Sequence, residues 1–116
     1  MAITLDDIKE NPEIKHILDY IEETIPHHSR EGIKNYVFNG YPVGGFLTEV
    51  FSNSLTGAFG HADHINRNMM YNYALFLYNA APHGCWGSSD KVKEWQKLGG
   101  LIGIENKRRE EATKDT

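Results

Sequence analysis

Between Leu55 and Ala80 apolar side chains return with the period of an α-helix, and no other feature constrains this chain's fold as strongly. Leu55, Ala58, Phe59, Ala62, Ile65, Met69, Tyr73, Phe76, Leu77 and Ala80 all fall on one stripe. The pattern predicts one long amphipathic helix. Gly57 and Gly60 weaken its first turns by about 1 kcal/mol each relative to alanine. Asp63 offers a competing start, as the N-cap of a shorter helix opening at His64.

Shorter helical patterns flank it. Thr4 reads as an N-cap with Asp6 and Asp7 in the first turn, where negative charge suits the helix dipole. Asn11-Pro12 is a second start signal, succeeded by Ile14, Ile17, Leu18, Ile21 and Ile25 at helical spacing. Ile33, Tyr36 and Val37 share a face of the next segment, which Asn39-Gly40 should stop. After the Tyr41–Gly45 link, Phe46, Leu47, Val50 and Phe51 form a short amphipathic helix; Ser54 is a plausible cap for the helical stretch that begins at Leu55. Ser88 or Ser89 should cap a helix bearing Val92, Trp95 and Leu98, ended by Gly99-Gly100. The state of Leu101–Ile104 is left open. No segment alternates with period two for long enough to make a strand. The expected architecture is all-α: a compact bundle of about five helices around one long central helix, with a charged C-terminal tail. One domain is expected over residues 1–104, with 105–116 either mobile or a helical extension.

Composition narrows the function classes. A hydrophobic fraction of 40% suits a globular domain. A mean hydropathy of −0.53 and the lack of any apolar run near 20 residues argue against a membrane span. The opening MAITLDDIKE lacks the basic and apolar regions of a secretion signal, so a cytoplasmic location is expected. A net charge of −4 disfavours generic binding to duplex DNA, which rests on neutralising phosphates. The single cysteine, Cys85, excludes an intramolecular disulfide and a multi-thiolate zinc site.

Few residues suggest chemistry. His61, Asp63 and His64 could share a metal from one helix face, yet a solvated face beside a capping Asp63 explains them more simply. His27-His28-Ser29-Arg30 opens a helix, where backbone N–H groups, Arg30 and a protonatable histidine could hold a phosphate; the plain alternative is a capped helix start with exposed polar side chains. Gly44-Gly45 lacks the lysine and preceding strand of a phosphate loop, so turn chemistry explains it. Asn66, on the apolar edge of the long helix, is expected to satisfy the Asn53-Ser54 turn or the Tyr41-Pro42 link, with a ligand-facing amide as the alternative. Trp86, between Cys85 and Gly87, reads as a core plug or as a stacking platform for a base, the plug being favoured. Cys85 has no fixed base beside it. No catalytic residues, no metal site and no cofactor are assigned. The candidates for ligand contact are Arg30, Tyr41, Asn66 and Trp86.

From Ile25 to Trp95 the chain resembles a family of small uncharacterised phage and prophage proteins. The resemblance rests on Ile25-Pro26, Gly32-Ile33 with Tyr36, Gly40, Pro42, Gly45-Phe46-Leu47, Val50, Asn53 and Leu55. It continues through Ala62-Asp63, Asn66, Leu77-Tyr78-Asn79, Pro82, Cys85-Trp86-Gly87-Ser88, Val92 and Trp95. The A-D-x-x-N and C-W-G-S runs are its most specific parts. Ser54 departs from it, since that position is often aspartate; both residues cap helices. The resemblance implies a phage accessory product in the cytoplasm of an infected host and brings no active residue with it. The expected function is binding without catalysis, directed at a host anti-phage defence component. It would act by occluding a host protein or by sequestering a small signalling nucleotide, within a homo-oligomer. The alternatives are a small metal-dependent or cysteine-based enzyme, or a structural or regulatory interaction module.

Overall fold

The computed structural model describes residues 2–114 and is helical throughout, with no strand among them. Its α-helices are α1 (Leu5–Ile8), α2 (Pro12–Thr24), α3 (His27–Asn39), α4 (Gly45–Phe51), α5 (Leu55–His61), α6 (His64–Asn68), α7 (Met70–Asn79), α8 (Ser89–Leu98) and α9 (Gly100–Lys114). A 3₁₀ turn, His83–Cys85, precedes α8.

Most boundaries obey local chemistry. The Asp7 carboxylate accepts from the Thr4 N–H at 2.8 Å. Asn11 Oδ1 accepts from the Glu13 N–H at 2.9 Å, with Pro12 in the first helical turn. Ser54, Asp63 and Ser88 cap α5, α6 and α8 through their side chains. Gly40 ends α3 and Gly99 ends α8, each in the left-handed conformation that glycine adopts without steric cost. Leu101–Ile104, left open by the sequence, form the first turns of α9. That helix then carries the charged segment to Lys114 without a break. Asn106 Oδ1 accepts from the Ile3 N–H at 2.8 Å and ties this helix to the start of the chain.

The long central helix expected over Leu55–Ala80 is instead three helices, so there are nine α-helices among the described residues rather than about five. Ala62 is extended, at φ −75° and ψ 134°, and the Asp63 carboxylate accepts from the Asn66 N–H at 2.7 Å. A cap that satisfies an otherwise orphaned N–H prevails here over apolar periodicity, in a stretch already weakened by two glycines. The break resets the helical phase. Ala58, Tyr73 and Phe76 are buried as expected, whereas Leu55, Phe59 and Ile65 of the same stripe are exposed.

The central element is α3. It packs against α2 on one side and α9 on another, while α4 packs on α5 and α8, and α7 on α2. Its Ile33, Tyr36, Val37 and Phe38 are essentially inaccessible. The C-terminal end of α3 meets the α8–α9 link backbone to backbone. A Cβ on Gly40 would lie 2.8 Å from the Gly100 nitrogen, and one on Gly100 would lie 2.6 Å from the Phe38 carbonyl carbon. Two glycines therefore set how closely these elements approach.

Three further hydrogen bonds hold α8 and the segment leading into it to the core. The Tyr36 hydroxyl donates to the Cys85 carbonyl at 2.6 Å, and the Trp95 indole N–H donates to the Tyr36 carbonyl at 3.0 Å. The Gly87 N–H donates to the Phe51 carbonyl at 2.8 Å. Trp95 is the buried tryptophan, and Trp86 is half-buried, packed against the edge of the core.

Candidate binding face and the polar network beneath it

Among the described residues Ser29 and Asn66 are the two buried polar ones outside the aromatic set, and one hydroxyl joins them. The Tyr73 Oη lies 2.6 Å from Asn66 Oδ1 and 2.7 Å from Ser29 Oγ. An amide oxygen only accepts, so the Tyr73 O–H donates to Asn66 and the Ser29 hydroxyl donates to Tyr73. Burial holds the Tyr73 phenol above its ordinary range, in its neutral form. Asp63 extends the network to the surface, capping α6 with one oxygen and approaching His28 Nε2 at 3.7 Å with the other. The network locks α3, α6 and α7 together. Asn66 thus has the structural role favoured from the sequence, but with Tyr73 as its partner rather than the Asn53-Ser54 turn or the Tyr41-Pro42 link.

Above this network lies an apolar face. No charged side chain and no histidine stands between Arg67 and His83, so α7 is uncharged on every side. It buries only Tyr73 and Phe76. A helix with so little polarity around its circumference is ordinarily well enclosed, yet Tyr71 and Tyr78 are 73% and 85% exposed. Leu55 and Phe59 of α5 stand out beside them, 69% and 45% exposed. Between α5 and α7 runs an open groove of about 300 Å³, floored by Ala58 and Tyr73 and walled by Leu55, Phe59, Met70 and Leu77. Glu49 is the one charged residue lining it, with Asn53 and Ser54 at the same end. A shallower hollow next to it runs from Tyr71 past Leu75 and Tyr78 to Trp86.

The four candidate contact residues do not converge. Trp86 belongs to this face, lining the hollow with Tyr78. Asn66 lies in the buried network. Tyr41 is exposed on the α3–α4 link and lines none of the grooves described. Arg30 is turned onto its own element's entry: its Nε donates to the Ile25 carbonyl at 2.9 Å and a terminal nitrogen lies 3.5 Å from Glu22. That carboxylate also accepts from Lys34 at 2.6 Å, and this hydrogen bond holds its pKa below the usual range. With Arg30 facing a carboxylate, the anion reading of the α3 start is left with its backbone N–H groups and a histidine.

The other chemical candidates are likewise absorbed locally. His61 Nδ1 lies 2.9 Å from the Gly57 carbonyl and its ring packs on Gly45, while Asp63 caps α6. Among the described residues no group of three or more His, Cys, Asp or Glu side chains is placed to hold a metal ion. Burial pushes the Cys85 thiol up to about 12, far from the thiolate a nucleophile needs at neutral pH.

Sequence reasoning missed Leu55, Phe59, Tyr71 and Tyr78 as surface residues. The signal for the last two is the uncharged run from Asn68 to Pro82, too evenly apolar for a helix with one face in water. No protein-family model, curated protein or solved structure matches the chain. Among the described residues no helix is long and apolar enough to cross a membrane.

Proposed function

We propose that this is a non-catalytic phage accessory protein that acts by occluding a host protein, which it engages through the groove between α5 and α7. The observation that carries the reading is the uncharged helix α7, with Tyr71 and Tyr78 on its solvent side and the exposed Leu55 and Phe59 beside it. Contiguous exposed apolar surface of this kind marks an interaction site. The groove is wide enough for one or two large apolar side chains, the usual anchors of a helix or extended segment laid into such a cleft. Glu49 at one end favours a basic residue beside those anchors.

The same electrostatics weigh against a sequestered nucleotide. Phosphate recognition calls for cations or convergent N–H donors, and the groove's one charge is a carboxylate. The phage context and the defence target come from the resemblance of residues 25–95.

The test is a pull-down from host lysate with the wild type and with Leu55→Asp and Phe59→Asp, combined with native mass spectrometry of the untagged protein. Both side chains are exposed, so both variants should keep the wild-type circular dichroism. The expected result is a host protein retained by the wild type and released by each variant. A small molecule of a few hundred daltons, retained by all three, would overturn the reading in favour of ligand sequestration.

A further inference from the structure

We infer that the segment laid into the groove between α5 and α7 is a basic peptide, whose lysine or arginine pairs with Glu49 beside its apolar anchors. The inference rests on the host-protein reading of the groove and names the chemistry of its occupant. Among the described residues every acidic side chain is exposed except two, Glu49 and Glu105, which are half-buried. Glu105 is met by Arg108 at 2.6 Å and by Arg109 at 3.0 Å. No cation and no hydrogen-bond donor among the described residues meets the Glu49 carboxylate. An ionised group drawn partly out of water without a partner costs free energy, and a cation arriving with the occupant offsets that cost.

The carboxylate is also held in place. A Cβ on Gly57 would lie 2.6 Å from Glu49 Cδ and 2.7 Å from Ser54 Oγ, so the Glu49 side chain rests where only glycine leaves it room. From there it lines the groove. A charge already positioned loses little freedom when its partner binds. Asn53 indicates what kind of molecule carries the cation. It lines both the groove and the neighbouring hollow, and its side-chain amide bonds to no protein group among the described residues. An amide offers donors and an acceptor together, which match a peptide backbone. A second copy of this chain, itself at −4, and an anionic lipid surface would both bring net negative charge to Glu49.

A random dodecapeptide library displayed on yeast tests this, selected for binding to the wild type and against binding to Leu55→Asp, so that recovered peptides depend on the groove. The expected peptides carry apolar side chains with a lysine or arginine at a fixed offset from them. In a synthetic peptide of that consensus, a neutral isostere of the cation (citrulline for arginine, norleucine for lysine) should weaken binding to the wild type about 10-fold. Glu49→Gln should weaken the cationic peptide by a similar factor and leave the neutral one unchanged, and Glu49→Lys should prefer glutamate at the same offset. The isostere comparison uses the wild-type protein alone, so it stands whatever the Glu49 variants do to the fold. Groove-dependent peptides without a cation at a fixed offset, or a cationic peptide that loses nothing to its isostere, would overturn the inference and leave the groove as a partner's site. A wild-type dimer in sedimentation equilibrium that Leu55→Asp disperses would overturn it by giving the groove to a second copy. No peptide dependent on Leu55 would overturn both the inference and the reading beneath it.

Discussion

The hydroxyl of Tyr73, a residue only 1% exposed, donates to Asn66 Oδ1 across 2.6 Å and accepts from the Ser29 hydroxyl at 2.7 Å. A single oxygen therefore satisfies two buried polar side chains from two other helices. Tyr73→Phe would leave both without a partner, a cost of about 1–3 kcal/mol. Urea denaturation should show that loss. Ser29→Ala should cost less, and the double variant less than the sum, because the two substitutions remove one shared bond. Strict additivity would mean that the three groups do not act as a unit.

The meeting of α3 with the α8–α9 link predicts unequal glycine substitutions. Gly40 and Gly100 both have φ +69° and both face backbone within 3 Å of a would-be Cβ. An alanine at either position meets the left-handed penalty of about 1–2 kcal/mol and a collision that backbone cannot relieve. Gly60 lies inside α5 with open space around it, so Gly60→Ala should stabilise by about 0.5–1 kcal/mol. Thermal midpoints of the three variants should therefore move in opposite directions, and equal tolerance at Gly40 and Gly60 would contradict the packing described.

Alkaline pH should weaken the fold through Cys85. Its folded pKa is raised by burial from an ordinary 9.0 to about 12. A raised acid is held neutral in the folded state, so its stabilising contribution is complete below pH 9. As pH rises from 9 toward 12 the unfolded chain alone loses the proton, and stability falls by up to about 1.4 kcal/mol per pH unit. The Tyr36 and Tyr73 phenols, also raised, add to the loss above pH 10. Midpoints measured from about pH 8 to 11 should decline, with a smaller slope in Cys85→Ala between about pH 9 and 10. An identical slope in the variant would remove Cys85 as the cause.

The local punctuation of this fold was legible in the sequence. Thr4, Asn11-Pro12, Ser54, Asp63, Ser88, Gly40 and Gly99 all act where a capping argument puts them, because a cap is decided by a few neighbouring backbone groups. The stripe from Leu55 to Ala80 was misleading for the opposite reason. Periodicity assumes an unbroken helix, and the extended Ala62 turned the stripe's first half away from the direction of its second. The position of α3 at the centre depends on which helices surround Tyr36–Phe38, which no window of sequence contains. Among the candidate contact residues Trp86 reaches the apolar face, while Arg30 finds Glu22, a partner eight residues away whose position depends on the turn at Pro26. The A-D-x-x-N and C-W-G-S runs are both framework here. One caps α6 and seats Asn66 under Tyr73; the other hangs α8 from Tyr36 and Phe51.

The surroundings of Ser54 favour serine over aspartate at this position. The Ser54 hydroxyl accepts from the Gly57 N–H at 3.3 Å to cap α5, a role aspartate fills equally well. The Glu49 carboxylate, however, lies against Gly57 on the side where the Ser54 hydroxyl also sits. A second carboxylate at position 54 would meet a like charge at close range. Ser54→Ala should cost about 1 kcal/mol through the lost cap. Ser54→Asp should retain the cap yet be less stable than wild type at neutral pH. Replacing Glu49 should reverse that deficit, so Ser54→Asp/Glu49→Gln should be more stable than Ser54→Asp alone. Denaturation midpoints of the four proteins at neutral pH decide it. If Ser54→Asp is as stable as wild type with Glu49 present, the carboxylate does not restrict this position.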